Sequence, residues 1–167
     1  MNSTQIFKRV FFVLMMAVTV ACQSDKSTVG GYFGLDTDLE IQFIVESDIN
    51  PDEAGLASPL FIRMYELKSN KIISKADFID IYERDKEILG ADLIVTRKLK
   101  RFKPGESRSE HFVVDKKTKF VALYAEFLDF KESKFRLVTA VVTNNVFKNF
   151  VSVRLTGNEL ILDSESN

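Results

Sequence analysis

The sequence predicts a mainly β domain, a two-sheet β-sandwich with a short helical insertion between its second and third strands. Three observations predict it. The chain has 15 Phe, no Trp and only 3 Pro in 167 residues, and a composition rich in aromatic and β-branched residues favours strands. Eight short apolar runs are separated by turn signals, which is typical of a sandwich. One stretch between the second and third runs repeats its apolar residues at helical spacing instead.

The first strand is predicted at residues 39–45, where apolar residues alternate with mostly polar ones. Residues 48–59 follow as a long loop, because they include two prolines, a glycine and three acids. This loop carries two apolar residues, Ile49 and Leu56. Either they fold back onto the domain, or they contact a partner, since long loops on rigid scaffolds often carry recognition.

The helical insertion is predicted at residues 74–89. Ser74 is the predicted N-cap, with Asp77 three residues later as a weak capping box. Apolar residues at helical spacing are expected to face the core: Phe78, Ile81 and Tyr82. Residues 84–89 form a second short helical segment that ends at Gly90.

The remaining strands follow from apolar runs bounded by turn residues. They are predicted at 60–68, 93–102, 108–114, 119–130, 135–143, 150–155 and 160–162. A strong turn signal, Lys103-Pro104-Gly105-Glu106, separates two of them. Residues 119–130 are the most apolar part of the domain and are therefore predicted to form a central strand.

The amino-terminal apolar segment predicts secretion. Residues 10–21 are apolar and follow Lys8 and Arg9. As a helix this segment would span about 18 Å, against a hydrocarbon core of roughly 30 Å, so it is too short to cross a membrane comfortably. A charged start, a short apolar run and a small final residue are typical of a signal peptide, here residues 1–21.

The end of this segment, Thr19-Val20-Ala21-Cys22, resembles a lipobox, the processing site of bacterial lipoproteins, although Leu is more usual where Thr19 stands. The resemblance implies a thioether-linked diacylglycerol on Cys22. Cys22 is the single cysteine of the chain, so no intrachain disulfide can form. Two alternatives remain at this point: an ordinary signal peptide with an incidental cysteine, and an uncleaved anchor. Gln23 follows the cysteine where inner-membrane lipoproteins tend to have Asp, which favours the outer membrane.

Four segments are therefore expected: the signal peptide 1–21, a flexible tether 22–36, a β-sandwich domain 37–163 and a polar tail 164–167. Removal of residues 1–21 leaves 21 basic and 24 acidic residues, a net charge of −3. That balance excludes the basic footprint typical of a nucleic-acid-binding protein.

No catalytic or metal site is predicted. His111 is the single histidine, and no ligand spacing accompanies it. The chain has no G-x-S-x-G nucleophile motif, and its glycine-rich stretch at 30–34 precedes any strand, which is the wrong context for a phosphate loop. Paired acids such as Asp77 with Asp80 are typical of solvated faces. No cofactor is expected apart from the covalent lipid at Cys22.

The order of several motifs resembles one family. They are RMYELKS at 63–69, KADF at 75–78, DLIVTRKL at 92–99, FKPGE at 102–106, KFVALYAEFLDF at 119–130 and FRLV at 135–138. Beside a lipobox, this order resembles the outer-membrane lipoprotein of type VI secretion systems, the TssJ family, over residues 39–162. Phe135-Arg136 stands where the family usually has Trp-Arg.

The resemblance implies a transthyretin-like sandwich and a structural role without enzymatic activity. It implies a lipid anchor in the outer membrane, facing the periplasm, and a partner: the periplasmic C-terminal part of the inner-membrane protein TssM. In the family the loop between the first two strands is the main contact. By position, the residues expected to bind the partner are Ile49, Asn50, Pro51, Asp52, Glu53 and Leu56.

A second function remains open from the sequence. The same sandwich could serve as a lipid-anchored periplasmic module that binds a small ligand or a peptide. A deep apolar pocket between the sheets would favour that function, and a filled core would disfavour it.

Overall fold

The structure, a computed structural model, describes residues 37–142 and 149–163. This part of the chain contains eight β-strands in two four-stranded sheets. The strands are β1 Thr37–Val45, β2 Ile62–Leu67, β3 Leu93–Lys98, β4 Arg108–Val114, β5 Phe120–Ala125, β6 Arg136–Ala140, β7 Asn149–Thr156 and β8 Glu159–Leu162. One α-helix, α1 Phe78–Leu89, and a 3-10 turn, Gly90–Asp92, lie between β2 and β3. The predicted signal peptide, Cys22, the tether and the tail lie outside the described residues.

The two sheets have different strand pairings. The first sheet has the order β4-β1-β7-β8, in which β1 and β7 run parallel and the other neighbours are antiparallel. The second has the order β3-β2-β5-β6 and is antiparallel throughout. The predicted two-sheet sandwich, its helical insertion and the central position of β5 are confirmed.

β1 shows why the alternating sequence forms a strand of the first sheet. Leu39, Ile41, Phe43 and Val45 are buried, whereas the residues between them face outward. Because successive side chains of a strand point to opposite faces, this pattern places one apolar row between the sheets. Twenty buried residues from both sheets and their loops fill that space.

β2 is buried along its whole length because both faces of the second sheet are covered. Ile62 and Met64 belong to the core between the sheets. Tyr65 and Leu67 belong to a second cluster on the opposite face, where α1 packs. The second cluster joins β2, β5 and the helix through Ile73, Phe78, Ile81, Leu89, Ala122 and Tyr124.

A buried carboxylate links the sheets at one edge. Glu66 of β2 is fully buried, and its Oε1 accepts hydrogen bonds from Arg97 Nε at 3.0 Å and Nη2 at 2.9 Å. Its Oε2 accepts from Asp115 N at 2.8 Å and Thr118 Oγ1 at 3.0 Å. Arg97 also donates to Val113 O of β4 at 3.1 Å, across the gap between the sheets. Four bonds satisfy the charge, so its burial is tolerated.

Several strands are shorter than predicted. β3 ends at Lys98 rather than at 102, and β5 ends at Ala125 rather than at 130. β6 covers Arg136–Ala140 of the predicted 135–143, and residue 143 lies outside the described residues. The reason is that apolar residues beyond the strands are buried in the core without extending them: Phe102 forms only an isolated bridge with Leu60, and Phe127 packs as a loop residue.

The predicted helix start at Ser74 is wrong. Residues 71–75 form turns, in which Ser74 N donates to Asn70 O at 3.0 Å, and α1 begins at Phe78 with Asp77 as its N-cap. Asp77 makes no side-chain capping bond. The helix ends at Leu89, and Gly90 is its C-cap as predicted, with φ 48°.

Two features of α1 depend on its contacts. Arg84 has non-helical angles, φ −135° and ψ 36°, which divide the helix where a second short segment is predicted. Tyr82, predicted to face the core, is 50% exposed. Its ring lies at the rim of the interface, stacked on Phe78 with 5.9 Å between ring centroids.

Arg63 of β2 holds this divided helix on the sheet. Its side chain is 9% exposed, and its Nη1 and Nη2 donate to Ile81 O at 3.2 Å and Tyr82 O at 3.1 Å, the carbonyls just before the break. Its Nε donates to Glu126 Oε1 at 2.6 Å, and Nη1 to Asp85 Oδ2 at 3.2 Å. A cation at the carboxyl end of a helical segment also complements the helix dipole.

Two tyrosines complete this attachment. Tyr65 Oη donates to Asp85 Oδ2 at 3.0 Å, and Tyr124 Oη donates to Phe78 O at 2.9 Å. Burial raises the pKa of both hydroxyls by more than the nearby Arg63 lowers it. Both hydroxyls therefore keep their protons and act as donors. Burial by itself would lower the pKa of Arg63, but the surrounding Tyr65, Glu126 and Asp85 outweigh it and the net pKa is raised.

We expect Arg63→Met to lower the free energy of unfolding by about 3 kcal/mol, because it leaves two helix carbonyls and two carboxylates without their cation. Urea denaturation of the mature chain followed by circular dichroism measures this. Arg101→Met is the matched control: Arg101 is exposed, and its replacement should change stability by no more than about 0.5 kcal/mol. Equal stabilities of the two variants would contradict the role of Arg63.

Candidate functional site

Four loops meet at one end of the sandwich. β1 begins at Thr37 and ends at Val45, and the register Phe43↔Arg108 places the start of β4 beside its end. Val45 pairs with Leu155 near the end of β7. In the second sheet Ile62, the first residue of β2, pairs with Ala125, the last of β5. The connections β1–β2, β3–β4, β5–β6 and β7–β8 therefore lie at this end, which we call the loop end, opposite Thr37.

The tip of the β1–β2 loop is a small ordered hairpin. Pro51 and Ala57 form an isolated bridge, and Asp52 N donates to Leu56 O at 2.9 Å. Asp52 Oδ1 accepts from the backbone N–H groups of Ala54 and Leu56, both at 2.9 Å. Gly55 has φ 75°, the left-handed conformation that glycine adopts without steric cost. The tip is thus preorganised by its own hydrogen bonds.

The two apolar residues of this loop have different positions. Ile49 is 0% exposed and belongs to the core between the sheets, so of the two alternatives it follows the first and folds back onto the domain. Leu56 is 66% exposed at the tip. A buried Ile49 fixes the base of the loop and leaves Leu56 as its apolar surface residue.

Asn50 connects three of the loops. It is buried and has φ 49°, a conformation that Asn tolerates better than most residues. Its Nδ2 donates to Pro59 O at 3.0 Å, and its Oδ1 accepts from Leu128 N of the β5–β6 connection at 2.8 Å. Its backbone N donates to Gly157 O of the β7–β8 turn at 2.7 Å. Asn50 therefore positions the loop end instead of presenting its side chain to solvent.

A cleft of about 520 Å³ lies between these loops, open to solvent on one side. It is lined by Pro51, Asp52, Glu53, Leu128, Asp129, Phe130, Lys131 and Asn158. Three of these residues are among those predicted to bind a partner. The β5–β6 residues were missed because the apolar run 119–130 predicts a continuous strand. The change from apolar residues to Asp129, Lys131 and Glu132 is the signal that could have found a loop there.

No candidate metal site is found in the part of the chain that the structure describes. His111 is an exposed residue of β4 whose Nδ1 lies 3.8 Å from Glu40 Oε2. Among residues 37–142 and 149–163, no group of three or more His, Cys, Asp or Glu side chains could hold a metal ion. In the same ranges no helix is long and apolar enough to span a bilayer.

The chain matches one protein-family model over residues 37–158, described as T6SS-SciN: type VI secretion lipoprotein, VasD, EvfM, TssJ, VC_A0113. The chain belongs to the TssJ family of type VI secretion lipoproteins. The match covers nearly all of the sandwich, and it confirms the resemblance inferred from the order of motifs. A comparison with curated proteins gives no significant match.

Solved structures similar to the chain confirm the TssJ fold. TssJ1 of Pseudomonas aeruginosa is 24% identical with a TM-score of 0.71, covering 79% of this chain and 98% of that one. Serratia marcescens Lip, a membrane-bound component of the type VI secretion system, is 14% identical with a TM-score of 0.69, covering 78% and 99%. At these identities the similarity shows the fold alone.

Two further structures are somewhat more similar in sequence. A chain of a structure described as a type VI membrane complex is 26% identical with a TM-score of 0.65, covering 76% of this chain and 98% of that one. A structure described as the T6SS protein TssM C-terminal domain from EAEC holds a chain that is 27% identical with a TM-score of 0.61, covering 76% and 99%. The TssJ family is one of structural lipoproteins.

We expect Asn50→Ala to lower the free energy of unfolding by about 2–3 kcal/mol, because it removes two side-chain hydrogen bonds and strains the positive φ. Asn50→Gly should cost about 1 kcal/mol less, since glycine relieves the backbone strain. Chemical denaturation measures both. Glu53→Ala, an exposed change three residues away, is the control and should be nearly neutral. An Asn50→Ala protein as stable as this control would contradict the positioning role.

Proposed function

We propose that the chain is the outer-membrane lipoprotein subunit of a type VI secretion membrane complex, and that it anchors the periplasmic part of a TssM-type inner-membrane protein to the outer membrane. Residues 1–21 are removed as a signal peptide, Cys22 carries the lipid, residues 22–36 form the tether, residues 37–163 are the docking domain and 164–167 a polar tail. Family membership supports a role as a type VI secretion lipoprotein. The geometry of β1 supports the proposed mechanism of attachment.

The observation that carries the proposal is the separation of the two ends of β1. The tether would enter the domain at Thr37, whereas the loop end begins after Val45. A nine-residue strand is about 30 Å long at roughly 3.3 Å per residue. The point where the tether would join the domain and the β1–β2 tip therefore lie at opposite ends of the sandwich, so a domain held by its start would have its loop end free to meet a periplasmic partner.

The lipid and the tether set the strength and reach of this attachment. A mature cysteine with three acyl chains exceeds the two signals needed for stable membrane anchoring. Fourteen residues between Cys22 and Thr37 have a root-mean-square span of about 20 Å if flexible and roughly 45–50 Å if fully extended. The domain can thus stand clear of the bilayer and reorient toward its partner.

The loop end is suited to binding a protein. Because the tip at 52–56 is already ordered, binding of a partner costs little conformational entropy of this loop. Leu56 supplies an exposed apolar contact, with Pro51 and Glu53 nearby in the chain. Two of the similar structures, described as a type VI membrane complex and as a TssM C-terminal domain, support a TssM-type partner.

The alternative function, a lipid-anchored module for a small ligand or peptide, needs a deep apolar pocket between the sheets. In the described residues that space is filled by buried side chains from both sheets. The cleft at the loop end opens to solvent and has acidic residues in its lining, which suits a protein surface better than a buried apolar ligand.

Replacement of the lipidated residue tests the anchor. In Cys22→Ser the protein should move from the outer-membrane to the soluble periplasmic fraction, and secretion should fall to the level of a strain lacking the protein. Thr19→Leu is the control: it brings the processing site closer to the family pattern and should leave fractionation and secretion unchanged. Unchanged membrane attachment and secretion in Cys22→Ser would overturn the proposal.

Replacement of Leu56 tests whether the loop end binds the partner. Leu56→Ser should weaken binding to the purified periplasmic domain of the TssM-type protein from the same secretion system by about tenfold, since exposed anchors at interface centres contribute more than 1 kcal/mol. Leu162→Ser is the matched control, because Leu162 is 55% exposed at the opposite end of β8. Biolayer interferometry with the mature chain measures both affinities. Equal affinities would place the interface elsewhere.

A further inference from the structure

The cleft at the loop end has walls from separate parts of the chain, and each wall is fixed. Asn50 bonds Leu128 N on one side. The Phe130 ring stacks on Phe78 of α1 with 4.4 Å between centroids, and Ser133 Oγ donates to Phe130 O at 2.9 Å. Asn158 O accepts from Lys134 N at 3.0 Å. The cleft is therefore a preformed feature of the fold.

The charges in the cleft are unbalanced. Its lining has three acids, Asp52, Glu53 and Asp129, against one base, Lys131. Asp52 is used within the hairpin tip, but Glu53 and Asp129 make no side-chain hydrogen bond or ion pair among the described residues. Acids elsewhere on the domain, such as Asp85 and Glu126, are paired with arginines.

An apolar residue of the lining complements a bound polypeptide. Leu128 is 60% exposed at the edge of the cleft, although its backbone N–H is held by Asn50. It therefore offers an apolar contact beside the unpaired acids.

We propose that this cleft receives a basic segment of the partner, with a Lys or Arg side chain between Glu53 and Asp129 and an apolar neighbour against Leu128. This inference rests on the proposed function and extends it, since it adds the β5–β6 connection to the docking surface and specifies the partner's chemistry. Charge complementarity selects the occupant, because the lining has three acids against one base.

The test compares binding of the mature chain to the purified periplasmic domain of the TssM-type protein at 50 mM and 500 mM NaCl. Glu53→Gln with Asp129→Asn should weaken binding about tenfold at low salt, and the difference from the unsubstituted protein should shrink to about twofold at high salt because exposed charge pairs are screened. Leu128→Ser should weaken binding about fivefold at both salt concentrations.

Matched controls isolate the cleft. Asp38→Asn with Glu83→Gln removes the same charge at exposed positions outside the cleft and should change affinity less than twofold. Leu162→Ser controls for Leu128→Ser. Thermal unfolding of each variant should be unchanged, because all of these side chains are exposed.

The outcomes separate this inference from the proposed function. If both cleft variants bind like the unsubstituted protein while Leu56→Ser binds weakly, the cleft inference is overturned and the proposed function stands. A loss in the charge variant that is equal at both salt concentrations would overturn the basic occupant. An unsubstituted protein that does not bind the periplasmic domain would overturn both.

Discussion

The buried guanidinium of Arg63 is the interaction on which the rest of the domain depends. The second sheet has one face on the core and the other covered by α1, and a helix broken at Arg84 cannot satisfy its own carbonyls there. Arg63 supplies donors to two of those carbonyls and a positive charge to two carboxylates. β2 can therefore carry a charge toward the helix without leaving a buried group unpaired.

A rigid second sheet has consequences at the loop end. β2 and β5 carry the helix attachment and also begin or end beside the loops, so their fixed register fixes where the β1–β2 and β5–β6 connections meet. Asn50 then joins those connections through one side chain. We expect a surface built this way to change little on binding, which suits the proposed docking role.

The proposed mechanism is mechanical rather than chemical. A lipid at Cys22 would hold one end of the sandwich, and the opposite end would hold the partner, so any force between the two membranes would pass along β1. β1 lies in the interior of the first sheet, between β4 on one side and the parallel strand β7 on the other. A strand bonded on both sides resists extraction better than an edge strand, because two ladders of hydrogen bonds must break together.

The sequence by itself determined the eight strands, the position of the helical insertion and the buried face of β1, because alternation, helical spacing and turn residues are local properties of the chain. The family was inferred separately, from the resemblance in the order of its motifs. Tertiary structure alone decided that Ile49 is buried, that Tyr82 is exposed, that α1 starts at Phe78 and that β5 stops at Ala125. The loop end was likewise only partly predictable. The β1–β2 loop is predicted from local turn residues, but the cleft depends on a contact between Asn50 and Leu128, which are 78 positions apart. Periodicity indicates which side of a strand is apolar. Contacts between residues distant in sequence decide where strand pairing stops and which loops meet.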